Sequence, residues 1–284
     1  MRDALEALAS LRRSVGFRNR DPESLKVVVG IDSDAWDRLV SGPRPARLHP
    51  FTALKGPVHD APATPGDLLL HVRADRMDLC FELADRMLSR LRGAVSVADE
   101  THGFGYFDSR DLLGFVGGTE NPEGADAGTW AYASAAQEPD HPGGSYVIVQ
   151  KYLHDRDAWD SLPIEEQEGA VGRTKAEDIE LDDDAKPADA HTALTVIEDA
   201  GGNELKIVRR NMPFFQHDQR TYGTYFIGYA ADPGITEQML RNMFLGIEDA
   251  SHGRILDFST ATTGGLFFVP PASFLADRPP TPAV

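Results

Sequence analysis

Two residues in the second half of the chain could do chemistry together. His191 follows the acidic stretch ELDDDAKPADA and precedes the alternating run ALTVIED, which predicts a junction between a loop and a strand. A glycine pair at Gly201-Gly202 predicts a hairpin turn, after which ELKIVRR brings Arg209 back beside His191. A neutral imidazole next to a permanent guanidinium suits a site for an anion or a peroxide-binding iron. A solvent-facing arginine at a strand end explains Arg209 equally well.

Three segments around these residues follow one another in a fixed order. They read GFVGGTENP at residues 114–122, KPADAHTAL at 186–194 and LKIVRRNMPF at 205–214. In that order and spacing they resemble the haem-pocket signatures of the dye-decolourising peroxidases, most closely the bacterial B-type subgroup. The resemblance covers most of the chain and includes DSRDLLGF, GSYVIVQKYLHD, TYFIGYA and ILDFSTATTG. The first segment of the subgroup normally reads GFxDGTENP, and Gly117 occupies the position of its aspartate.

The resemblance implies roles for residues on both sides of a haem. His191 would be the axial ligand of the iron in a non-covalently held haem b, and Arg209 would be the distal arginine. Asn211 would lie near the same distal pocket. Gly117 would stand where the subgroup has the carboxylate that shuttles a proton during cleavage of the peroxide bond.

Three further residues acquire roles from the same resemblance. Asp257, in ILDFSTATTG, would accept the imidazole proton of the axial ligand; the alternative is an aspartate that caps a turn at a loop. Arg173, in GRTK, would contact a haem propionate, because a guanidinium matches a carboxylate well. Phe226, in TYFIGYA, would form a wall of the distal side or belong to the ordinary core.

Three carboxylates could bind a manganous ion at the haem edge, as in some bacterial members of the family. They are Glu120, Glu180 and Glu204, and hard oxygen ligands suit that ion. Acidic side chains are abundant in this chain, so a solvated surface explains them as well.

The expected function is a haem peroxidase that reduces hydrogen peroxide and oxidises dyes, phenols or similar small aromatic electron donors. Arg209 supplies electrostatic stabilisation in this interpretation, and water relays the proton that Gly117 cannot carry. The alternative is a non-enzymatic haem-binding or haem-trafficking protein, which the glycine at position 117 favours.

The elements that must position these residues form two similar α+β halves. We expect an N-terminal half over residues 1–125, including the distal loop, and a C-terminal half over residues 126–284 that carries the axial histidine. Both are predicted to be ferredoxin-like, with antiparallel sheets covered by helices, as in dimeric α+β barrels. Predicted strands include LKVVVGID, DLLLHVRAD, AVSVADET and GSYVIVQKYL, and a hairpin is expected from Ala193 to Arg209.

Composition excludes several other classes of protein. The chain has 284 residues, with 28 basic and 45 acidic side chains and a formal net charge of -17, which disfavours nucleic acid and anionic membranes. Its single cysteine, Cys80, rules out an intrachain disulfide and a CxxCH haem attachment. We expect a cytoplasmic homo-oligomer with no membrane span.

Both ends of the chain differ from what the family resemblance suggests. The family's usual first strand is absent before the helix ALEALASLRRSV, so one sheet should lack an edge strand. No encapsulin-targeting peptide follows Val284, and loading into an encapsulin shell is therefore not expected.

Overall fold

One curled antiparallel sheet, covered by helices, carries the fold. The computed structural model describes residues 5–17, 19, 21 and 23–276. The strands are β1 (Lys26–Ile31), β2 (Leu54–Lys55), β3 (Asp60–Ala61), β4 (Leu68–Arg73), β5 (Ser145–His154), β6 (Ile197–Glu198), β7 (Glu204–Leu205), β8 (Val208–Arg209), β9 (Met212–Gln216), β10 (Thr221–Ala230), β11 (Ser259–Ala261) and β12 (Gly265–Val269). The helices are α1 (Leu8–Gly16), α2 (Ser33–Leu39), α3 (Met77–Arg90), α4 (Gly124–Ala131), α5 (Arg156–Asp160), α6 (Ile164–Val171), α7 (His191–Thr195), α8 (Pro233–Leu245) and α9 (Ala272–Ala276), with a 3-10 turn at Arg254–Asp257 among others.

Eight strands form the main sheet, and every neighbouring pair is antiparallel. Its order is β4-β1-β12-β5-β10-β8, with β11 added to β5 and β9 added to β10. Strand β12 is central although it is the last strand in sequence: Phe268 pairs with Ile31 of β1, and Gly265 pairs with Val149 of β5. The predicted α+β class, with two ferredoxin-like halves, is confirmed. The boundary after residue 125 stays a prediction.

Strand alternation divides the core between the two faces of the sheet. On β5, Tyr146 and Ile148 point into the larger, helix-covered core, whereas Val147 and Val149 point to the opposite, concave face. Helix α8 packs on β5 and β10 from the helix-covered side, and α4 packs on β8 and β10. Any side chain on these strands can therefore be assigned to a face from its position.

The sheet curls until two distant strands touch. The hydroxyl of Tyr229 on β10 lies 2.7 Å from Nδ1 of His71 on β4. Three strands separate β4 from β10, and at about 4.8 Å per strand a flat sheet would hold these residues roughly 19 Å apart. Burial, with the nearby charges of Arg73 and Arg210, lowers the pKa of His71 to about 4. The neutral imidazole can then accept the hydrogen bond of Tyr229.

Two sequence-based predictions of local structure were wrong. The run AVSVADET, residues 94–101, is not a strand: it is mostly exposed, including Val97, and only an isolated bridge joins Arg92 to Val95. His191 begins helix α7 rather than a strand, because Leu194 is buried in the helix-covered core and Thr195 Oγ1 donates to the carbonyl of His191. The predicted hairpin is shorter than expected and consists of β6 and β7.

The two terminal features expected from the sequence lie partly outside the described residues. Residues 1–4 and 277–284 are not among them, so the missing first strand and the missing encapsulin-targeting peptide stay predictions. Within the described part of the chain, no helix is long and apolar enough to cross a membrane.

Replacing Tyr229 by Phe should weaken the closure of the curled sheet. The substitution leaves His71 Nδ1 without its partner in a partly buried position, so the free energy of unfolding should fall by about 1–3 kcal/mol. Urea denaturation measures this change. Tyr132→Phe is the matched control, because Tyr132 is 59% exposed, and its effect should stay within about 0.5 kcal/mol. Equal stability of the two variants would show that the His71–Tyr229 contact does not hold the sheet closed.

Candidate active site

Arg209 and His191 approach each other from the sheet and from a helix. Val208 belongs to the concave core, so its neighbour Arg209 points to the helix-covered side, where Leu194 of α7 is also buried. Burial, together with the positive charge of Arg209, lowers the pKa of His191 to about 4. The imidazole is therefore neutral near pH 7, which is the form that binds a metal ion. The predicted proximity of the two residues is present in the structure.

Several buried polar atoms around this point have no hydrogen-bond partner among the described residues. They include His191 Nδ1, Thr192 Oγ1, Arg209 Nε and Gln150 Nε2. A buried polar group without a partner is unfavourable by about 1–3 kcal/mol, so a concentration of such groups indicates a site that a further group completes. A neutral imidazole can bind a metal ion, and a guanidinium and an amide can donate hydrogen bonds to an oxygen atom. These groups therefore fit a cofactor that contains a metal ion with an oxygen species bound to it.

Gln150 was missed by the sequence analysis. It is fully buried on β5 directly opposite Phe226 of β10, and its Oε1 accepts a hydrogen bond of 2.7 Å from the hydroxyl of Tyr152. The signal was available: Gln150 is a polar residue in the apolar run SYVIVQKYL, in phase with the inward-facing Tyr146 and Ile148.

The sheet wall of the site also contains Phe226 and Asn211. Phe226 packs against the helix-covered core and lies on the face of Arg209, since Arg209 pairs with Gly228, two residues further along β10. A side chain at Gly228 would collide with the ring of Phe226, because a Cβ there would lie 2.8 Å from it. Asn211 accepts a hydrogen bond of 3.1 Å from the amide of Ile227 through Oδ1, which fixes its position beside this wall.

The segment GFVGGTENP is tied to the strand that carries Arg209. Asn121 Oδ1 accepts a hydrogen bond of 2.8 Å from the amide of Arg209, and Asn121 Nδ2 donates to the carbonyl of Arg209 at 3.2 Å. The amide of Gly117 donates to the carbonyl of Ser109 at 2.8 Å. Gly117 is exposed and is not among the glycines with positive φ, unlike Gly118 at φ 84°. The loop thus reaches the site without needing glycine at position 117.

Asp257 lies beside the segment that leads to His191 but is bonded elsewhere. The amide of Arg254, at the start of its 3-10 turn, donates to the carbonyl of Asp189 at 3.0 Å. Asp257 Oδ1 lies 2.7 Å from Nε2 of His59 and 2.9 Å from Nε2 of His252, and Arg254 pairs with Oδ2. Burial opposes the charge of Asp257, but these three partners outweigh it and lower its pKa. The predicted hydrogen bond from His191 is not present, and that role stays a prediction.

Arg173 and the three glutamates form an ion-pair network at the mouth of the site. Arg173 Nε donates to Asp178 Oδ1 at 2.7 Å, and its side chain is only 11% exposed. Each of the three glutamates forms an ion pair with a lysine or arginine. Arg173 lies 3.6 Å from Glu120 and 3.4 Å from Glu180, measured between nitrogen and oxygen. Lys206 lies 3.7 Å from Glu120 and 3.1 Å from Glu204. A propionate would have to share Arg173 with these carboxylates, and a manganous ion would meet the charges of Arg173 and Lys206. Both roles stay predictions.

Comparison with known families identifies the class of this architecture. The N-terminal part of the chain, residues 2–105, matches the model of Dyp-type peroxidase, N-terminal, and residues 108–274 match that of Dyp-type peroxidase, C-terminal. Together these matches cover nearly the whole chain. The fold is that of a Dyp-type peroxidase.

Individual relatives agree with this class. The chain is 61% identical to the dye-decolorizing peroxidase of Mycolicibacterium paratuberculosis, over 99% of this chain and 79% of that protein. It is 59% identical to the protein of the same name from Rhodococcus erythropolis, over 99% and 82%. The encapsulated DyP-type peroxidase from Mycobacterium smegmatis superposes with a TM-score of 0.96 at 56% identity, over 99% and 90%. The chain belongs to the Dyp-type peroxidase family.

Replacing Asn121 should loosen the loop from the sheet in two steps. Asn121→Asp keeps an acceptor for the Arg209 amide and loses the donor to the Arg209 carbonyl, whereas Asn121→Ala loses both hydrogen bonds. At about 0.5–1.5 kcal/mol for each bond, Asn121→Ala should lower the free energy of unfolding by about 1–3 kcal/mol and Asn121→Asp by less. Hydrogen exchange at the Arg209 amide should accelerate in the alanine variant. Unchanged exchange there would contradict the proposed attachment.

Proposed function

We propose that the protein is a haem-dependent peroxidase that reduces hydrogen peroxide and oxidises dyes, phenols or similar aromatic electron donors. The observation that carries the proposal is the pair of half-buried residues His191 and Arg209, whose buried Nδ1 and Nε atoms have no partner among the described residues. A variant of DypB from Rhodococcus jostii RHA1, 53–54% identical to this chain, was solved in complex with heme at a TM-score of 0.95. The family and the orphaned donor set support the same cofactor.

The chain supplies candidates for each contact that haem b requires. His191 would hold the iron as its axial ligand, Phe226 would pack against the ring, and Arg173 would pair with a propionate. Asp257 would turn from its present partners to accept the His191 proton. The single cysteine makes a two-thioether attachment impossible, so the haem is held without covalent bonds. When bound, haem supplies the two-electron reduction of peroxide and the subsequent one-electron oxidation of donors.

Arg209 is the main catalytic group in this proposal. Its backbone is held by the sheet and by Asn121, and its guanidinium, whose Nε has no partner among the described residues, would donate to the peroxide oxygen that gains negative charge. Burial lowers the pKa of Arg209, yet an arginine remains charged at every physiological pH. One preorganised donor of this kind contributes roughly 10²–10³-fold to the rate.

Gly117 determines how the proton moves. Without a side chain at this position, the proton of peroxide must travel to the departing oxygen through water rather than through a carboxylate. Gly117 is exposed, so water can reach this position of the loop. The rival proposal, a non-enzymatic haem-binding or haem-trafficking protein, rests on the same glycine and predicts that peroxide leaves the haem spectrum unchanged.

A cytoplasmic location and a homo-oligomeric state complete the proposal, and both rest on the sequence. Encapsulation is a property of the Mycobacterium smegmatis relative. Manganese binding by Glu120, Glu180 and Glu204 is not part of this proposal, because arginine and lysine side chains already pair with these carboxylates.

His191→Ala should purify with little haem or with haem that exchanges readily, because the variant lacks the axial imidazole. The Soret absorbance relative to the protein absorbance measures haem content. His102→Ala, which removes an imidazole that is paired with Glu100 at the surface, is the matched control and should keep its full haem content. Full occupancy with an unchanged ferric spectrum in His191→Ala would sink the assignment of the axial ligand.

Gly117→Asp should change the rate or the pH dependence of the reaction with peroxide while haem content stays constant. A Cβ at position 117 would contact only the Ser109 carbonyl, at 3.3 Å, so the loop can accept the side chain. Stopped-flow absorbance after mixing with peroxide measures the rate across pH. Gly105→Asp adds the same charge to an exposed loop where no atom lies within 4 Å and should leave the profile unchanged. Identical profiles for the parent and Gly117→Asp would show that this position does not face the peroxide.

A further inference from the structure

The seam of the curled sheet, where β4 meets β10, carries a histidine and an arginine on its concave face. On β4, Leu69 packs against the concave core, so His71 and Arg73 face the same way by strand alternation. The imidazole of His71 lies nearly parallel to the ring of Tyr229, with centroids 6.1 Å apart, and its Nδ1 accepts the hydrogen bond of the Tyr229 hydroxyl. A neutral imidazole that accepts at Nδ1 carries its proton at Nε2. His71 therefore has a second ring nitrogen that can donate at the seam.

A second arginine reaches this seam from β8, at the other end of the strand order. Val208 of β8 lies opposite Tyr229 and packs in the concave core. Arg210 is two residues further along, and its amide donates to the carbonyl of Ile227, a member of the same core, at 2.9 Å. Side chains alternate along a strand, so Arg210 faces the concave side and its neighbour Arg209 faces the candidate active site.

The two guanidiniums have like charges and form no ion pair with a carboxylate among the described residues. The charges of Arg73 and Arg210 both act on His71, and that of Arg210 acts on Arg73, so the three groups lie near one another. Burial and the charge of Arg210 lower the pKa of Arg73, and no described carboxylate opposes that effect. The Nε atom of Arg73 is buried and has no hydrogen-bond partner in the described part of the chain.

Two carboxylates near this face already pair with lysines. Lys26 lies opposite Arg73 on β1, and its ammonium lies 3.6 Å from Glu23. Lys151 of β5 lies 3.0 Å from Asp99. The seam is thus a local concentration of unbalanced positive charge in a chain whose formal net charge is -17. Like charges repel most strongly where water is excluded, so an anion bound between them would be stabilised.

We infer that Arg73, Arg210 and the Nε2–H of His71 form a binding site for a small oxyanion, either a phosphate or a carboxylate. A guanidinium presents parallel N–H groups that match two oxygens of such an anion. The buried Nε of Arg73 would gain the hydrogen bond that it lacks. The anion would bridge β4 and the end of β8, across the seam that the His71–Tyr229 contact closes. None of these three side chains is assigned to haem or to peroxide.

Anion binding to the haem-loaded full chain tests this inference without reference to peroxidase activity. Equilibrium dialysis with radioactive inorganic phosphate, at pH 7 and fixed ionic strength without other oxyanions, should show one saturable site per chain. A parallel dialysis with radioactive acetate distinguishes the two sources of the oxyanion: the anion that binds more tightly identifies the class of ligand. Saturable binding of neither anion would overturn the inference.

Three variants locate the site. Arg73→Gln and Arg210→Gln should each weaken binding by about tenfold or more, because each loses hydrogen bonds from a charged donor. Arg73→Lys keeps the charge without the planar fork and should lie between Arg73→Gln and the parent. Arg86→Gln is the matched control, because Arg86 pairs with Glu82 at 2.7 Å on α3, which covers the opposite side of the sheet. It removes the same charge and should bind the anion as the parent does.

Thermal denaturation of the same samples separates loss of the site from loss of the fold. A ligand that binds only the folded chain raises its melting temperature. Phosphate or acetate should therefore raise the melting temperature of the parent and of Arg86→Gln, but not that of Arg73→Gln or Arg210→Gln. Equal effects of the anion in all these proteins would show that binding follows net charge rather than this site, and would refute it. The Soret band of each sample confirms that haem content is the same.

Discussion

The central constraint in this protein is the burial of two polar side-chain atoms that have no hydrogen-bond partner among the described residues. They are Nδ1 of His191 on α7 and Nε of Arg209 on β8, and each residue as a whole is half-buried. Burial and the nearby guanidinium disfavour a charge on the imidazole. Such an arrangement is unfavourable in isolation. It persists because β8 is fixed between β10 and Asn121, and because Leu194 anchors α7 in the core. The packing of β8 and Leu194 therefore offsets the cost of leaving these polar atoms without partners.

The Asn121 attachment gives the glycine-rich loop a defined relation to that site. The loop itself is mostly exposed, and Gly117 and Gly118 contribute no side-chain packing. Its position depends on two hydrogen bonds to one backbone unit, that of Arg209. The guanidinium belongs to the side chain of that same residue. The loop is therefore attached directly to the backbone of Arg209.

Much of the fold could be predicted from the sequence, since local patterns determine the long elements. The helix predicted at Ile164–Val171 has those bounds in the structure, and β1, β4 and β5 follow their apolar runs. The segment AVSVADET has a strand-like pattern but finds no partner strand, a fact that depends on the arrangement of the whole sheet. The start of α7 at His191 likewise depends on a core contact of Leu194 that no local pattern contains.

The site was predictable only in part. The resemblance singled out His191 and Arg209, and the expected hairpin placed them near each other. In the structure the hairpin is shorter and His191 begins a helix, and the roles of both residues toward haem stay predictions. The partners of Asp257 were not predictable, because His59 is 198 residues away and reaches it only through the packing of the β2–β3 turn on α8. Gln150 was missed for a different reason. It is a polar residue in an apolar run, which the sequence shows, but the register with Phe226 is what places it on the wall of the site.

The place of β12 in the sheet affects the synthesis of the protein. Ribosomes deliver β1, β4 and β5 long before β12, yet β12 lies between β1 and β5. Until Val269 has emerged, β1 and β5 each expose the edge that β12 later covers, and unpaired edges favour association between nascent chains. The pairing that joins them closes a loop of more than two hundred residues, which is slow for reasons of chain entropy. The pairing of β12 with β1 and β5 is therefore a late step in the assembly of this sheet.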